Sequence, residues 1–450
     1  MLPLQPHAGD GGLPAASPPS RRLLFVNQHY YPDFASTGQH LTDLAEFLAQ
    51  HEHESEVWCA RSRYLAGTLD APKTETHNRV AIRRFRTTGF GRTRSLGRMV
   101  DYATFFAQVL ARMLTTGRST FPVVLTTPPL LCTAAGIARK LRGRRYGIWS
   151  MDLHPDAEEA LGMIKPGGLL ARTLHAFNNF GYRNADFVVS LGPCMTELIA
   201  AKGVERSRIV EVPVWTQADE VFPVAPEDND LRRELGLADK FVVMYSGNAG
   251  LAHRFDEVLQ AMLQLRDHPQ IAFLFVGGGP RRPEIEAFIE EHGLANAQYL
   301  DYFPREQLAY SLSTANVHLL TLRDDMAGIA APGKLYGIMA AGRPTLMVGP
   351  KVSEPGLLIE REAVGTVVDT TDAATRTPAA ATAAIVAALE AMAADVTATQ
   401  RVGQHARAVF EASYAAARAL DEWKAVVDAF VEERALEVVP AGAAQEAVPS

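Results

Sequence analysis

The chain has 450 residues, of which 47% are hydrophobic and 21% are charged, and its formal net charge is -7. These values exclude a largely disordered chain and leave room for two or three domains of ordinary size. The charge is unevenly distributed: residues 21–215 carry 25 Lys and Arg against 17 Asp and Glu, whereas residues 216–450 carry 19 against 33. This basic first half predicts contact with an anionic partner, unless the arginines between 83 and 98 simply solvate a loop.

The three cysteines, Cys59, Cys132 and Cys194, are far apart and form neither a metal-ligand spacing nor a disulfide framework. We therefore expect buried thiols in a reducing compartment. Residues 1–20 contain no Lys, no Arg and no apolar run, so nothing in them resembles a secretory signal. Because no stretch reaches 18 uninterrupted apolar residues either, we predict a cytoplasmic protein without a transmembrane helix.

From residue 21 onward, short β-branched or aromatic runs alternate with amphipathic segments, a pattern typical of βα units stacked around a parallel sheet. The ends of the chain, 1–20 and 435–450, are rich in small residues and aperiodic, and we predict that they are disordered. Strands are predicted at 23–27, 56–60, 80–85, 123–126, 146–150, 186–191 and 209–212. Helices are predicted at 38–50, 96–114, 130–141, 168–182 and 193–202.

A Pro- and acid-rich stretch interrupts this alternation and predicts a linker at 216–235. The alternation then restarts, which predicts two α/β domains, 21–215 and 236–399, with a small-molecule site in the cleft between them. The final helices are expected at 400–434, where Trp423 supplies an apolar anchor. Strands are predicted at 241–245, 272–276, 297–299, 317–320 and 345–348. Helices are predicted at 254–265, 283–292, 305–311, 334–341 and 382–392.

Three segments of the second half join glycines to a strand end or a helix start. They are FVVMYSGNAGLAHR (241–254), AFLFVGGGP (272–280) and AAPGKLYGIMAAGRP (330–344). Glycines let the backbone approach a ligand closely, and free N–H groups at a helix start favour phosphate. Each glycine turn alone is equally typical of a structural turn. Lys334 adds a cation beside the third turn, and this combination favours an anion site over a solvated surface lysine.

The order of these segments is similar to that of the family-4 retaining glycosyltransferases, in particular the bacterial branch of O-antigen and colanic-acid sugar transferases. Other matching stretches are NQHYYPDFASTGQHLTDLAEFLA (27–49), SMDLHPD (150–156) and DFVVSLGPCMTELIAAKGV (186–204). The resemblance implies an α/β GT-B fold, in which two Rossmann-like domains face each other across a cleft and a C-terminal helix crosses back to the N-terminal domain. It also implies a nucleotide-sugar donor in the second domain, an acceptor in the first, and neither a metal nor another cofactor.

Carried over position by position, the resemblance implies three catalytic candidates. Asp152 would orient the acceptor or polarise its hydroxyl, His154 would share this work unless it is structural, and Lys334 would stabilise the departing diphosphate. The donor-binding candidates are Gly38, Ser246, Gly247, Asn248, His253, Arg254, Gly278, Pro332, Gly333 and Lys334.

The chain also departs from the family pattern. Many members carry two glutamates eight residues apart, one of which binds the ribose of the donor, but the matching positions here are Ile329 and Gly337. Asn248 stands where a phosphate-binding arginine is common, which leaves His253 or Arg254 to supply charge. Donor binding is therefore expected to be built differently, to be weaker, or to be absent.

The expected function is metal-independent retaining transfer of a hexose, by default from a UDP-sugar, to a lipid-linked or polysaccharide-precursor acceptor in bacterial surface-glycan biosynthesis. We expect no nucleic-acid partner. Two alternatives stay open: a non-catalytic GT-B partner subunit, and a nucleotide-sugar 2-epimerase, for which the second half offers no clear acid–base carboxylates. The apolar helical pattern of 99–114, beside the Arg-rich 83–98, predicts either peripheral contact with the inner face of the membrane or an ordinary core helix.

Overall fold

The computed structural model describes residues 22–33, 35–61, 69–88, 95–117, 119–330, 333–432 and 434. The chain ends predicted to be disordered, 1–20 and 435–450, lie outside the described residues. The described residues form two α/β domains, each built around its own sheet, so the predicted fold class is confirmed.

The described part of the first domain contains an eight-stranded sheet that is parallel except at one edge. Its strands are β1 (Arg22–Val26), β2 (Ser55–Ala60), β3 (Thr74–His77), β4 (Val80–Phe85), β5 (Thr120–Leu125), β6 (Gly147–Trp149), β7 (Phe187–Ser190) and β8 (Ile209–Glu211). Their order is β3-β4-β2-β1-β5-β6-β7-β8, and β3 pairs antiparallel with β4. Every strand predicted for this half is present, whereas β3 was not predicted because its sequence, TETH, has no apolar alternation.

The helices of the first domain follow the predicted pattern, with α4 as an addition. They are α1 (Ser36–Gln50), α2 (Ser95–Thr115), α3 (Leu131–Arg142), α4 (Asp156–Ala160), α5 (Leu169–Asn184) and α6 (Pro193–Ala201). Helix α1 forms because Leu41, Leu44 and Leu48 recur at helical spacing, and all three are fully buried in the core of this domain.

The second sheet has six strands among the described residues, and every pair of adjacent strands is parallel. They are β9 (Phe241–Ser246), β10 (Ile271–Val276), β11 (Ala297–Leu300), β12 (Val317–Thr321), β13 (Thr345–Gly349) and β14 (Gly365–Asp369). Their order is β11-β10-β9-β12-β13-β14. The prediction missed β14, an edge strand whose residues are mostly only half-buried and whose sequence, GTVVD, is short.

The helices of the second domain are α7 (Asp230–Glu234), α8 (Asp256–Gln264), α9 (Arg282–Glu291), α10 (Leu308–Ser313), α11 (Lys334–Ala340), α12 (Glu354–Glu362) and α13 (Pro378–Ala394). Helix α12 was not predicted. Helix α7 lies inside the segment predicted to be a linker. Its cap, Asn229, donates a side-chain hydrogen bond to the carbonyl of Tyr310 at 2.8 Å, so this part of the segment is attached to the second domain.

The last two helices, α14 (Val396–Ser413) and α15 (Ala416–Val431), return the chain to the first domain, as the resemblance implied. Trp423 on α15 is fully buried, and its ring centroid lies 4.7 Å from that of Trp149 on β6. Phe430 packs edge-on against Phe121 and Phe187, at centroid distances of 5.4 and 4.8 Å. Helix α15 therefore completes the core of the N-terminal domain, and the predicted crossing is confirmed.

Two composition-based expectations can be compared with this fold. Cys59 and Cys132 are buried, whereas Cys194 is only half-buried; it lies where the two domains meet, and its backbone N–H donates to Glu354 at 3.1 Å. Within the described ranges, no single helix is long and apolar enough to cross a membrane. Helices α13 and α14 meet that test of length and composition only as a pair, and they are bent by 98° at their junction.

Candidate functional site

Two glycine turns lie side by side at the carboxyl ends of β9 and β10. Gly247 follows β9 with a φ of 125°, and Gly277 and Gly279 follow β10 with φ values of 132° and 122°. A Cβ on Gly277 would lie 2.2 Å from the carbonyl oxygen of Gly247, and one on Gly279 would lie 2.6 Å from the backbone nitrogen of Ala249. Only glycine permits this approach and these dihedral angles, so the two turns interlock through their backbones.

Lys334, at the start of α11, lies directly over the first of these turns. A Cβ on Gly247 would come within 2.8 Å of the Lys334 Cε. The Lys334 ammonium donates to the hydroxyl of Tyr245 and, at 3.3 Å, to the carbonyl of Asn248. It also sits 4.0 Å from the centroid of the Tyr245 ring. The structure thus brings together three of the predicted donor-site residues, Gly247, Asn248 and Lys334.

His253 supports the lysine from a third side. Its Nδ1 lies 2.5 Å from the carbonyl oxygen of Thr321, an acceptor, so we assign the proton to Nδ1. Its Nε2 then accepts from the Lys334 ammonium at 3.3 Å. Burial, assisted by the charge of Lys334, lowers the pKa of His253 to about 3. His253 is therefore a neutral positioning group for Lys334 and not the phosphate-binding charge that the sequence suggested.

No acidic residue that the structure describes neutralises Lys334. Its three polar neighbours are neutral, and among the described residues it forms no ion pair. Burial lowers the pKa of Lys334 to about 7. An anion bound at this position would supply the missing charge and favour the protonated lysine.

Arg254 is placed differently from the prediction. Its guanidinium is paired with Glu257, to which it donates from Nε at 3.2 Å, and with Asp324, to which it donates from Nη1 at 3.0 Å. These two carboxylates already neutralise the arginine, so it does not offer a free charge to a donor phosphate. The partner Asp324 lies 70 residues away in the sequence, and the local pattern gave no indication of it.

Of the remaining predicted donor residues, Ser246 and Gly278 belong to the same turns, Gly333 directly precedes Lys334, and two are exceptions. Ser246 is the last residue of β9, and the carbonyl of Gly278 accepts from Ala249 at 2.7 Å. Gly333 lies against the first domain, since its Cβ would be 3.2 Å from the Val214 side chain. The exceptions are Pro332, which lies outside the described residues, and Gly38, which belongs to the other domain.

Gly38 lies in the first turn of α1 and is buried. A Cβ there would be 3.2 Å from the backbone of His29, in the loop after β1. This loop is held by the buried pair of His29 Nδ1 and Asp33 at 2.9 Å. The glycine therefore lets α1 approach the loop closely at the carboxyl edge of the first sheet, which is the edge where open α/β sheets place their ligands.

Asp152 lies in the loop that follows β6, on the first-domain side of the domain contact. It forms an isolated antiparallel bridge with Ala330, four residues before Lys334. The neighbouring Leu153 donates its backbone N–H to the carbonyl of Ile329 at 2.9 Å. The structure therefore brings Asp152 to the segment that leads into α11, and Asp152 and Lys334 approach the same region from opposite domains.

His154 is half-buried beside Asp152. Its Nδ1 lies 2.9 Å from the carboxylate of Glu158, one turn along. Burial lowers the pKa of His154, but the Glu158 carboxylate outweighs that effect and raises the pKa overall. The pair holds the imidazole in a fixed orientation. Glu158 was not predicted, although its spacing of four residues from a histidine at a helix start is a signal that the sequence contains.

Tyr245 is the main site residue that the sequence analysis missed. It is fully buried at the end of β9, and its hydroxyl accepts from Lys334 while donating to the carbonyl of Asn248 at 2.9 Å. Burial raises its pKa well above the usual value, so the phenol is neutral. Its only sequence signal is its position directly before the Ser-Gly turn. Among the described residues, no group of three or more His, Cys, Asp or Glu is arranged to hold a metal ion.

Comparison with known proteins agrees with this architecture. Residues 37–215 match the model of a glycosyl transferase 4-like domain, and residues 227–378 match that of glycosyl transferases group 1. The Escherichia coli (strain K12) protein WcaI, assigned as a colanic acid biosynthesis glycosyl transferase, is 27% identical over 75% of this chain and 86% of its own length.

Solved structures share the fold at low sequence identity. Sucrose-phosphate synthase from Thermosynechococcus elongatus aligns with a TM-score of 0.71 and 17% identity, over 92% of this chain and all of its own. HepE of Anabaena, solved in complex with UDP and glucose, aligns with a TM-score of 0.67 and 15% identity, over 91% of this chain and all of its own. The two domain models, their order and this architecture establish that the chain belongs to the family-4 glycosyltransferases and has the GT-B fold.

Proposed function

We propose that the chain is a retaining glycosyltransferase that moves a hexose from a UDP-sugar to a lipid-linked or polysaccharide-precursor acceptor in bacterial surface-glycan biosynthesis. Its relative WcaI is assigned to colanic acid biosynthesis, and the structural neighbour HepE was solved with UDP and glucose. The acceptor would be engaged in the cytoplasm, at the inner face of the membrane.

The observation that carries the proposal is the unneutralised ammonium of Lys334 over the glycine turn of Gly247. Lys334 is half-buried, and a partly desolvated cation among neutral acceptors is unfavourable by itself, which is why its pKa is lowered. A diphosphate seated on the turn would neutralise it. Glycine at positions 247 and 277 lets Lys334 and the second turn pack directly against the backbone of the first turn, which fixes the ammonium over that turn.

The reaction that fits these groups needs no enzymic nucleophile. The bond between the anomeric carbon and the phosphate oxygen breaks, the electron pair leaves with UDP, and Lys334 stabilises the charge that develops on the diphosphate. The acceptor oxygen forms its bond to the anomeric carbon on the same face, and its proton passes to the phosphate oxygen that departs. In this scheme Lys334 takes the role that a metal ion plays in other transferases.

On the acceptor side, Asp152 and His154 are the proposed orienting groups. Asp152 lies beside the segment that leads to Lys334, so a hydroxyl held by its carboxylate would face the donor site. His154, fixed by Glu158 and with a raised pKa, would contribute a positive charge or a donor to the same acceptor. Both residues are positioned by the loop after β6.

One observation favours a second candidate, a non-catalytic GT-B subunit. Arg254 is already paired with Glu257 and Asp324, and neither Ile329 nor Gly337 offers a carboxylate to a ribose. A donor site would then rest on Lys334 and backbone groups alone. Direct measurement of donor binding separates the two candidates.

The test is calorimetric titration of the full chain with UDP, GDP and ADP and with their common sugar conjugates. We expect micromolar binding of the uridine nucleotides and its loss in Lys334→Ala. The matched control is Lys240→Ala. Lys240 lies just before β9, at the opposite end of that strand, and among the described residues its ammonium donates only to the carbonyl of Pro269. The control should bind as the unaltered protein does.

The outcomes divide the candidates clearly. Binding that survives Lys334→Ala would refute the assigned role of this lysine. A protein that binds no nucleotide at all would be the non-catalytic subunit. Turnover of UDP-sugar that continues unchanged in EDTA would support the metal-independent scheme, and a strict requirement for a divalent cation would overturn it.

A further inference from the structure

A cavity of about 760 Å³ lies in the first domain between β4 and the C-terminal half of α2. Its lining contains no acidic residue, and Phe85, Gln108 and Ala111 supply part of its wall. The cationic residues of this lining, which we call the basic pocket, are Arg61, Lys73, Arg83, Arg84, Arg86 and Arg112. A concentration of six cations without an acidic residue points to an anionic ligand.

Two of these cations are neutralised within the protein. Arg84 is buried and pairs with Glu75 at 2.6 Å, and it also donates to the carbonyl of Tyr31 at 2.8 Å. Arg83 lies 3.4 Å from a carboxylate oxygen of Glu56. These two arginines therefore have a structural role that accounts for their charge.

The other four cations are not neutralised by a described residue. Arg61, Lys73, Arg86 and Arg112 form no ion pair with any residue that the structure describes. In addition, the Nε of Arg61 is buried and has no hydrogen-bond partner among the described residues. A buried donor of this kind is costly unless something accepts from it. The basic pocket thus offers four unneutralised charges and one unused buried donor.

The basic pocket is separate from the proposed donor site. Strand β4 is two strands from β1 in the sheet, which corresponds to about 10 Å, and Lys334 belongs to the other domain. Arg84 connects the pocket to the loop after β1 through its bond to Tyr31. A ligand in the pocket would therefore lie beside the cleft, on the acceptor-binding domain.

We propose that the basic pocket binds the phosphate or diphosphate group that joins a glycan acceptor to its lipid carrier. This inference rests on the proposed function, because it assigns the class of acceptor for the same transfer reaction. A diphosphate diester carries two negative charges, and guanidinium groups bind its oxygens with paired N–H donors. With the diphosphate held here, the attached sugar would extend toward the cleft and the lipid toward the surface.

The probe is inorganic pyrophosphate, titrated calorimetrically into Lys334→Ala so that the donor site does not contribute. The pocket variant carries Arg86→Gln and Arg112→Gln, both at exposed positions. The control variant carries Lys140→Gln and Arg142→Gln, two exposed cations of α3 whose loss changes the net charge equally. Since each charge-assisted contact is worth about tenfold in affinity, we expect the Kd to rise about a hundredfold in the pocket variant and less than twofold in the control.

Pyrophosphate binding that is absent in Lys334→Ala, or that falls equally in both variants, would overturn the proposal. A second arm uses vesicles containing phosphatidylglycerol. If the pocket variant loses only vesicle binding and keeps pyrophosphate, the pocket serves a membrane surface, and the proposal is again wrong. UDP-glucose binding, measured with Lys334 intact, should be equal in both variants. If neither variant bound UDP-glucose, the proposed donor function would be wrong, but the result for the basic pocket would stand.

Discussion

The lowered pKa of Lys334 predicts that donor affinity falls as the pH rises through neutrality. Burial lowers this pKa to about 7 in the free protein, so the lysine is mostly charged at pH 6 and about one-tenth charged at pH 8. Only the charged form neutralises a diphosphate. The Kd for UDP-glucose should therefore be about tenfold higher at pH 8 than at pH 6, because each pH unit above the pKa removes a further tenfold of the competent form.

The neighbouring groups do not confuse this measurement. The pKa of His253 is lowered to about 3 and that of Tyr245 is raised well above 10, so both stay neutral from pH 6 to pH 8. UDP-glucose is the better probe than UDP, since its diphosphate is a diester and keeps its charge across this range. Titration in two buffers of different ionisation enthalpy should also reveal about one proton taken up per donor bound at pH 8.

The arginine variant supplies the control. Lys334→Arg keeps a cation that does not lose its proton below pH 12, so its affinity for UDP-glucose should be independent of pH between 6 and 8. A Kd of the unaltered protein that does not change with pH would refute the reasoning. So would a pH dependence that persists in Lys334→Arg, because another group would then be responsible.

Three further substitutions test the glycine turn at Gly247, the core of the N-terminal domain and the open position at Gly337. Gly247→Ala places a Cβ at a φ of 125° and 2.8 Å from Lys334, so UDP-glucose binding should be lost in calorimetry. The same change should lower the free energy of unfolding by about 1–3 kcal/mol, because alanine is strained at this φ. The control is Gly236→Ala, at a positive φ with open space around it, which should be destabilised but still bind UDP-glucose. Trp423→Ala should lower the free energy of unfolding in urea by about 3–5 kcal/mol. Gly337→Glu, at a position with room for a side chain, should lower the Kd for UDP-glucose.

The sequence alone predicts those features that depend on neighbouring residues. The strand and helix order follows from local periodicity, and the turn at Gly247 follows from a strand that runs into Ser-Gly. The crossing of α15 was implied by the family resemblance and not by periodicity, although Trp423 marked the helix as having an apolar face. For the strands, the helices and the glycine turn, the relevant information lies within a few residues.

The charge state of the site could not be predicted in this way. Arg254 and Lys334 are both cations near a glycine turn, and the sequence analysis placed both among the donor-binding candidates. The structure separates them because Arg254 meets Asp324, 70 residues away, whereas the neighbours of Lys334 that the structure describes are all neutral. Which cation remains free for a ligand is decided by such long-range pairs, and they depend on the packing of the whole domain.

The two positions that depart from the family pattern also differ in physical character. Ile329 is buried, and its carbonyl accepts from Leu153 of the other domain, so a carboxylate there would be desolvated at the domain contact. Gly337 is under no such constraint, since a Cβ would meet Leu312 at an ordinary 3.7 Å. Packing therefore accounts for the isoleucine and does not require the glycine. Under the proposed function, the affinity for the donor would therefore rest on Lys334 and on the backbone of the glycine turns, since neither position offers a carboxylate.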